Sequence, residues 1–344
     1  MRLRDLGERE LSRTLLAERY ASVPYFGNDV AVVPTRLRPD EVLVATTDPC
    51  PPPVAFELGF RDYYYLGWLL GAINFSDLAA AGARPLCILP SIVMPGESEV
   101  HTLSRLLDGL DACSATVGAL VVGGNLKEGP AIDATATAIG AARSRELVTR
   151  TGARAGQLVV LIGNTGHFWA AVLLKRMGIE PDDRLLSAVL TPRPKVAAGT
   201  AFARERLLSA CIDNSDGLQP SLQLLAEASS VGFRLDLDTV EFSRPVRAAA
   251  AQLGVPPLRL ALGWGDWQLV GTCERDDLER VRAVCDEEVH VLGVVEPGNE
   301  VLAMVGGQLG RLGRFESERF AADSWFTAGL GSYIERILTG PLLQ

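Results

Sequence analysis

Two aspartates lie three residues apart in the segment CIDNSDGL, where an apolar run gives way to a helical pattern. They are Asp213 and Asp216, and Gly217 directly follows the second of them. The beginning of a helix favours anions because its free N–H groups and its dipole point toward them. Two interpretations fit this position: a carboxylate that only caps the helix, or a pair of carboxylates that holds a metal ion against a phosphate.

Acidic and amide residues recur where the predicted strands end. A single carboxylate at a turn is most often a helix cap or part of an Asx turn. A whole set of them, several beside glycine or small residues, is harder to explain in that way. Mg²⁺ bound to a nucleotide takes one or two carboxylates together with phosphate oxygens and water, so the set predicts a magnesium–nucleotide site. The positions are Asn28, Asp29, Asp48, Asp77, Asn125, Asp213, Asp216 and Asp266.

The composition and the missing motifs exclude several other kinds of chemistry. The three histidines, His101, His167 and His290, are scattered, which argues against a histidine-rich zinc site and against a Ser-His-Asp triad. The P-loop pattern G-x-x-x-x-G-K-[ST] does not occur in the sequence. A net charge of −9 argues against nucleic acid as the main partner. The six cysteines show no C-x-x-C spacing and are expected to be reduced thiols of the core.

Neither a secretory signal nor a membrane span is indicated by the sequence. The charged start of the chain has no continuous apolar stretch behind it. The most apolar window, residues 66–83, contains Asn74 and Asp77. We therefore expect a cytoplasmic protein that contacts neither a membrane nor nucleic acid.

The elements that must position these residues alternate between strand and helix in two similar halves. A chain of 344 residues is expected to form two domains. The order β-β-α-β-α-β, followed by a second α+β set, places the first domain at residues 1–145 and the second at 146–344. Strands are predicted within 28–48, 84–94, 119–125, 131–142, 150–166, 266–274 and 287–296, and helices within 62–83, 98–118, 168–178 and 195–206.

Seven motifs together resemble one enzyme family. FGNDVAVV, VATTD, NFSDLAAAGARP, VVGGN, RTGARAGQ, CIDNSDGL and GWGDWQL occur in the order seen in thiamine-monophosphate kinase. From about residue 25 to about residue 300 the chain resembles that family and the wider aminoimidazole-ribonucleotide synthetase (PurM-like) superfamily. The resemblance implies a two-domain PurM-like fold of mixed α and β structure. It also implies ATP and Mg²⁺ as cofactors, and a homodimer whose N-terminal domains share a β-barrel.

The resemblance also implies roles for individual residues. Asp216 and Asp48 match the catalytic positions, where they would hold Mg²⁺ against the phosphates of ATP. The full metal-binding set is Asn28, Asp29, Thr47, Asp48, Asp77, Asp213 and Asp216. The nucleotide contacts match Gly123, Gly124, Asn125, Arg150 and Ser215. For the substrate, Ala55 and Asp266 stand in segments that resemble the family's substrate-binding stretches. Trp267, with its large apolar face, and Trp325, in the late aromatic segment 324–333, are further candidate substrate contacts.

Several positions depart from the family pattern. Asn28 and Asn125 stand where the family has aspartate, so fewer or weaker Mg²⁺ contacts are expected there. Ala55 stands where a substrate-binding histidine is expected. Four of the five residues 49–53 are proline, and this loop is predicted to be stiff and unable to bind a phosphate through N–H groups.

These departures lead to an expectation about the substrate. The main interpretation is an ATP- and Mg-dependent phosphotransferase whose acceptor is bulkier or less charged than thiamine monophosphate. One alternative is a genuine thiamine-monophosphate kinase, and another is a catalytically inactive nucleotide-binding protein. A remaining alternative is ATP-dependent activation of an amide oxygen.

Overall fold

The computed structural model of this chain describes residues 2–6, 12–22, 33, 37–313, 315 and 325–344. The described residues fall into two compact units. The first unit takes in those within Met1–Leu78, Ala83–Arg145 and Leu190–Val196. The second takes in those within Ala79–Gly82, Glu146–Val189 and Ala197–Gln344.

The first unit is built on a five-stranded sheet. Its strands are β1 (Glu41–Pro49), β2 (Arg84–Met94), β3 (Leu120–Val121), β4 (Asn125–Glu128) and β5 (Asp133–Arg143). They follow the order β1-β5-β2-β3, and β4 pairs with β2. The helices are α1 (Leu3–Leu6), α2 (Ala17–Arg19), α3 (Val54–Glu57), α4 (Tyr64–Ala80) and α5 (Val100–Thr116), with a π-helical turn over Ser12–Leu16.

Helices α4 and α5 pack against each other with their backbones in close contact. A Cβ atom on Gly67 would lie 1.8 Å from the carbonyl oxygen of Leu106, and one on Gly109 would lie 1.9 Å from that of Tyr64. Only glycine fits at these two positions. Along α5 the buried leucines recur three and four residues apart, as an amphipathic helix requires. This packing fixes α4, which carries Asp77 near its end.

The second unit is built on a seven-stranded sheet. Its strands are β6 (Leu158–Ile162), β7 (Ala210–Asp213), β8 (Gly232–Asp236), β9 (Leu269–Cys273), β10 (Val289–Glu296), β11 (Val301–Val305) and β12 (Gln308–Arg311). They follow the order β12-β11-β8-β10-β6-β9-β7. Every residue of β6, β7 and β9 is buried, which for β6 agrees with its continuous apolar sequence LVVLI.

Eight helices of the described chain accompany this second sheet. They are α6 (His167–Arg176), α7 (Asp183–Leu190), α8 (Val196–Glu205), α9 (Leu218–Ser229), α10 (Arg244–Leu253), α11 (Pro257–Ala261), α12 (Leu278–Ala283) and α13 (Trp325–Thr339). Short 3₁₀ turns cover Leu237–Thr239 and Arg275–Asp277. The last helix, α13, is interrupted at Gly329, whose backbone is not helical.

The predicted mixed α+β architecture is confirmed. Each helix and strand predicted from residue 41 onward has a counterpart, whereas the first strand predicted from residue 28 lies outside the described residues. Five of the six cysteines are buried and all six are free, as expected for core thiols. Among the described residues, no helix combines the length and the apolar character needed to cross a membrane.

We expect the chain to form a homodimer through strand β1 of the first sheet. Among the described residues β1 lies at the end of the strand order, and its Val42 and Leu43 are 38% and 47% exposed. A strand at the end of a sheet with exposed apolar side chains favours contact with another chain. Light scattering at micromolar concentration should therefore give about twice the 36.8 kDa chain mass.

A charge on this edge should break the dimer. We expect Leu43→Asp to halve the measured mass. The matched control is Leu309→Asp, because Leu309 is also exposed but lies on β12 in the second sheet. A wild-type protein of monomeric mass would contradict the prediction.

Candidate functional site

In the first unit, strand β1 and helix α4 bring two predicted metal-binding residues into one network. The Thr46 hydroxyl donates a hydrogen bond to Asp77 Oδ2 at 2.5 Å. The backbone N–H of Asp48 donates to Asn74 Oδ1 at 3.2 Å. Asn74 is fully buried, and its amide nitrogen donates to the Leu70 carbonyl oxygen within α4 at 2.9 Å. Asp48 and Asp77, the first carboxylate pair, are therefore held by one strand and one helix.

The two carboxylates of this pair differ in their availability. Asp77 already accepts the bond from Thr46. The half-buried Asp48 carboxylate has neither a hydrogen bond nor an ion pair with any residue in the described part of the chain. Thr47 is exposed, and its hydroxyl bonds to the Thr137 hydroxyl at 2.7 Å. Asp48 is thus the member of the pair best placed to bind a cation.

The predicted nucleotide-binding glycines lie in the turn between β3 and β4. A Cβ atom on Gly124 would lie 2.4 Å from the carbonyl oxygen of Pro90, so a larger residue would collide with β2. Close backbone packing therefore explains this glycine without a ligand. Asn125 begins β4, is exposed and lies opposite Ser91 in a parallel pairing.

In the second unit, residues 213–217 form a turn between β7 and α9, here called the aspartate turn. Gly217 precedes the first residue of α9 with φ of 105°, a left-handed value that glycine tolerates best. The N-cap residue of this helix is Gly217, which has no side chain to form a capping hydrogen bond. Asp213 is 5% exposed and accepts a bond from the Ser215 hydroxyl at 3.3 Å.

Asp216 differs from Asp213 in being exposed. Across the described ranges its carboxylate takes part in neither a hydrogen bond nor an ion pair. The N-cap residue of α9, Gly217, supplies no side-chain cap to the N–H groups at the start of the helix. A free carboxylate beside uncapped N–H groups fits a metal ion that is itself bound to a phosphate.

The loop 262–268, which contains GWGDWQL, is bonded directly to the aspartate turn. The Gly265 N–H donates to the Ser215 carbonyl oxygen at 2.8 Å. The Asn214 N–H donates to the Gln268 carbonyl oxygen at 2.7 Å, which continues the antiparallel pairing of β7 and β9 by one residue. The position of the turn therefore depends on the position of the loop.

Asp266, predicted as a substrate residue, has an internal role in this structure. It is 4% exposed, and its Oδ2 accepts bonds from the Thr165 hydroxyl at 2.5 Å and from the Gly166 N–H at 2.6 Å. Gly166 directly precedes α6, so the carboxylate satisfies an N–H group at the start of that helix. Asp266 thus fixes the loop to α6.

The other predicted substrate residues are mostly buried as well. Ala55 has no exposed surface, because its methyl group packs inside the first unit in α3. Trp267 is 7% exposed, with its ring 6.3 Å from that of Phe168. Trp325 begins α13, but its side chain lies outside the described residues. Ala55, Asp266 and Trp267 therefore present little surface to a ligand in this structure.

An aromatic cluster that the sequence did not reveal lies behind this loop. The fully buried Trp169 is its centre, with ring centroids 5.3 Å from Trp264, 5.2 Å from Tyr333 and 5.4 Å from Phe168. Its indole N–H donates to the Trp264 carbonyl oxygen at 2.7 Å. The cluster joins α6, the loop and α13, which are far apart in the sequence.

Arg150 lies alongside β7 in the second unit. The Cys211 N–H donates to the carbonyl oxygen of Thr149, the neighbouring residue, at 2.9 Å. The Arg150 guanidinium is exposed and forms no ion pair with another described residue, so it is available to a phosphate.

Burial and the nearby Asp213 raise the pKa of the Cys211 thiol to about 12, so this thiol stays protonated and is not a nucleophile.

The carboxylates of these sites fit a Mg²⁺ ion carried by a nucleotide better than a Mg²⁺ ion whose ligands all come from the protein. The described residues contain no group of three His, Cys, Asp or Glu side chains that could hold a metal ion. Mg²⁺ carried by a nucleotide needs only one or two carboxylates, because phosphates and water supply the other ligands. Each unit supplies such a pair: Asp48 with Asp77, and Asp213 with Asp216. Asn28 and Asp29, also predicted as metal-binding, lie outside the described residues.

Comparison with known proteins places the chain in a family. Residues 27–142 match the AIR synthase related protein N-terminal domain, and residues 154–305 match the AIR synthase related protein C-terminal domain. The thiamine-monophosphate kinase of Halobacterium salinarum is 31% identical over 300 residues, which cover 87% of this chain and 93% of the relative.

Solved structures agree with this assignment. The crystal structure of thiamine-monophosphate kinase from Stenotrophomonas maltophilia K279a is similar with a TM-score of 0.71 and 26% identity, covering 80% of this chain and 89% of that one. AaThiL, solved in complex with AMPPCP and TMP, is similar with a TM-score of 0.69 and 25% identity, covering 90% and 96% of the two chains. The predicted two-domain PurM-like fold is thereby confirmed. The chain belongs to the thiamine-monophosphate kinase family, a family of ATP-dependent kinases among the AIR synthase related proteins.

Proposed function

We propose that this protein transfers the γ-phosphoryl group of ATP to thiamine monophosphate, giving thiamine diphosphate and ADP. The observation that carries the proposal is the 31% identity to a thiamine-monophosphate kinase over 93% of that relative, which includes the segments of both free carboxylates, Asp48 and Asp216. This replaces our expectation of a different acceptor, which finds no support among the relatives.

The residues of the site account for the needs of phosphoryl transfer. This reaction depends on positioning and on neutralising negative charge, and it needs no protein nucleophile. We assign each unit a Mg²⁺ ligand of its own, Asp48 in the first and Asp216 in the second. Mg²⁺, when bound, would neutralise charge on phosphate oxygens. Thr46 and Asn74 orient the first carboxylate pair through their bonds to Asp77 and Asp48.

The phosphate groups have their own set of donors in the second unit. Arg150 supplies an exposed guanidinium, and Ser215 supplies a hydroxyl. The uncapped start of α9 adds backbone N–H groups and the positive end of the helix dipole. Gly217 leaves this helix end free of any side chain of its own.

A different acceptor remains the second candidate because of the proline loop. Residues 49–53 contain one backbone N–H, that of Cys50, and it donates to the Ala134 carbonyl oxygen at 2.8 Å. The loop therefore has no N–H left for a phosphate. Ala55 also offers no imidazole, so a phosphorylated acceptor would have to be bound by other residues.

Measuring ADP release while one component at a time is left out separates the two candidate functions. We expect Mg-dependent ADP formation that requires thiamine monophosphate and proceeds at ordinary enzyme rates, on the order of one per second. Thiamine and pyridoxal are tested in the same assay as candidate acceptors that carry no phosphate. If either of them stimulates ADP release while thiamine monophosphate does not, the second candidate replaces the first.

A further inference from the structure

The loop 262–268 is held by a second set of contacts besides those to the aspartate turn. The Trp264 N–H donates to the hydroxyl oxygen of Tyr333 at 3.2 Å. The same hydroxyl donates its proton to the carbonyl oxygen of Phe315. The Trp264 carbonyl accepts from the Trp169 indole N–H at 2.7 Å. Both backbone polar groups of Trp264 are thus satisfied by aromatic side chains.

The C-terminal helix α13 is attached to the chain at two points, before the loop and within it. Before the loop, Arg259 of α11 donates from Nη1 to the carbonyl oxygens of Ile337 at 2.9 Å and Gly340 at 2.8 Å, at the end of α13. Within the loop, Trp264 bonds to Tyr333, whose ring centroid lies 5.7 Å from the Trp264 ring. Tyr333 is only 2% exposed, so it cannot change position without moving its neighbours.

The loop passes this constraint on to the aspartate turn. Gly265, the residue after Trp264, is bonded to Ser215, and Gln268 is bonded to Asn214. A Cβ atom on Gly217 would lie 2.7 Å from the Leu262 carbonyl oxygen, so the turn and the loop are also in direct van der Waals contact. A displacement of Trp264 therefore reaches the residues on either side of Ser215.

We propose that helix α13 braces the loop 262–268 and that Tyr333 is a positioning residue for the aspartate turn. Loss of the Tyr333 hydroxyl then loosens the turn and weakens Mg²⁺ binding at Asp213 and Asp216. The part of this proposal that concerns Mg²⁺ rests on the proposed kinase function. The part that concerns the loop and the turn does not.

Tyr333→Phe tests the brace because it keeps the ring and removes only the hydroxyl. It leaves the Trp264 N–H and the Phe315 carbonyl without their partner, which destabilises the local backbone. Hydrogen exchange should become about fivefold faster in peptides covering 262–268 and 213–217. The Mg²⁺ concentration for half-maximal turnover should rise about threefold or more, with kcat at saturating Mg²⁺ unchanged.

Ser332→Ala is the matched control. Ser332 is the neighbour of Tyr333 on the same helix, and its hydroxyl donates to the Ala328 carbonyl oxygen within that helix. This variant should leave exchange in both peptides and the Mg²⁺ dependence unchanged. If Tyr333→Phe does not fold, Arg259→Gln takes its place, because it removes the guanidinium bonds that attach α13 to the chain before the loop.

Each outcome decides a different point. If hydrogen exchange in the loop 262–268 is unchanged in Tyr333→Phe, the proposal that α13 braces this loop is wrong. Faster exchange in the loop with an unchanged aspartate turn would overturn the positioning role. A wild-type protein without kinase activity would contradict the proposed function, while the exchange comparison would still decide the brace.

Discussion

Replacing Asp216 with asparagine is expected to lower kcat by about two to three orders of magnitude without unfolding the protein. Its carboxylate is exposed and takes part in no hydrogen bond or ion pair within the described chain, so its loss costs the fold little. Asparagine keeps the size and one oxygen but removes the charge that the site offers to Mg²⁺. Steady-state kinetics at several Mg²⁺ concentrations, together with a melting curve, measure both effects.

The control for this variant is Asp183→Asn. Asp183 is also an exposed aspartate of the second unit, at the first residue of α7, but it lies in no predicted site. Its substitution should change neither turnover nor the melting temperature appreciably. Turnover at the wild-type level in Asp216→Asn would remove Asp216 from the catalytic set.

Replacing Asp266 with alanine is expected to act on stability first, by about 2–4 kcal/mol. The buried carboxylate accepts bonds from Thr165 and from the Gly166 N–H, and alanine would leave both donors without that acceptor. The loop 262–268 would also lose its attachment to α6, so turnover should fall as well. Urea unfolding followed by fluorescence and by circular dichroism gives the free energy of unfolding.

Asp276→Ala provides the comparison for Asp266. Asp276 is exposed in the 3₁₀ turn Arg275–Asp277, and its loss should change the free energy of unfolding by less than about 0.5 kcal/mol. A similarly small change in Asp266→Ala, combined with a large rise in KM, would contradict the capping role. It would restore Asp266 as a direct substrate contact.

The residue types and their spacing were enough to predict the aspartate turn. A carboxylate pair, a glycine and a helical pattern occur within a few residues, so local geometry alone places Asp213, Asp216 and Gly217 at the start of a helix. The buried strand β6 was predictable from its local sequence as well, since it is a continuous apolar run. The family resemblance made it possible to predict candidate site residues in both units, because its motifs cover most of the chain.

The contacts that hold the site were not predictable in the same way. The bonds from Thr46 to Asp77 and from Asp48 to Asn74 depend on how β1 lies against α4, and no local pattern encodes that register. The sequence offered one indication of these contacts, because Asn74 is an amide residue within the most apolar window of the chain. No sequence pattern indicated the hydrogen bond between Tyr333 and Trp264, because it joins the last helix to a loop far earlier in the sequence.

The substrate residues show where comparison of motifs is insufficient. Asp266 occupies the aspartate of a substrate motif, yet its carboxylate is turned to Thr165 and Gly166. Ala55 occupies a ligand position but is fully buried. A motif fixes the position of a residue along the chain, and the direction of its side chain depends on the packing around it.

Direct measurement of the product tests the central claim. Purified protein is incubated with ATP, Mg²⁺ and thiamine monophosphate, and thiamine diphosphate and ADP are quantified together by chromatography. The proposed function predicts one thiamine diphosphate for each ADP, and neither product when Mg²⁺ is removed with a chelator. ADP formed without thiamine diphosphate, or no reaction at all with intact and folded protein, would contradict it.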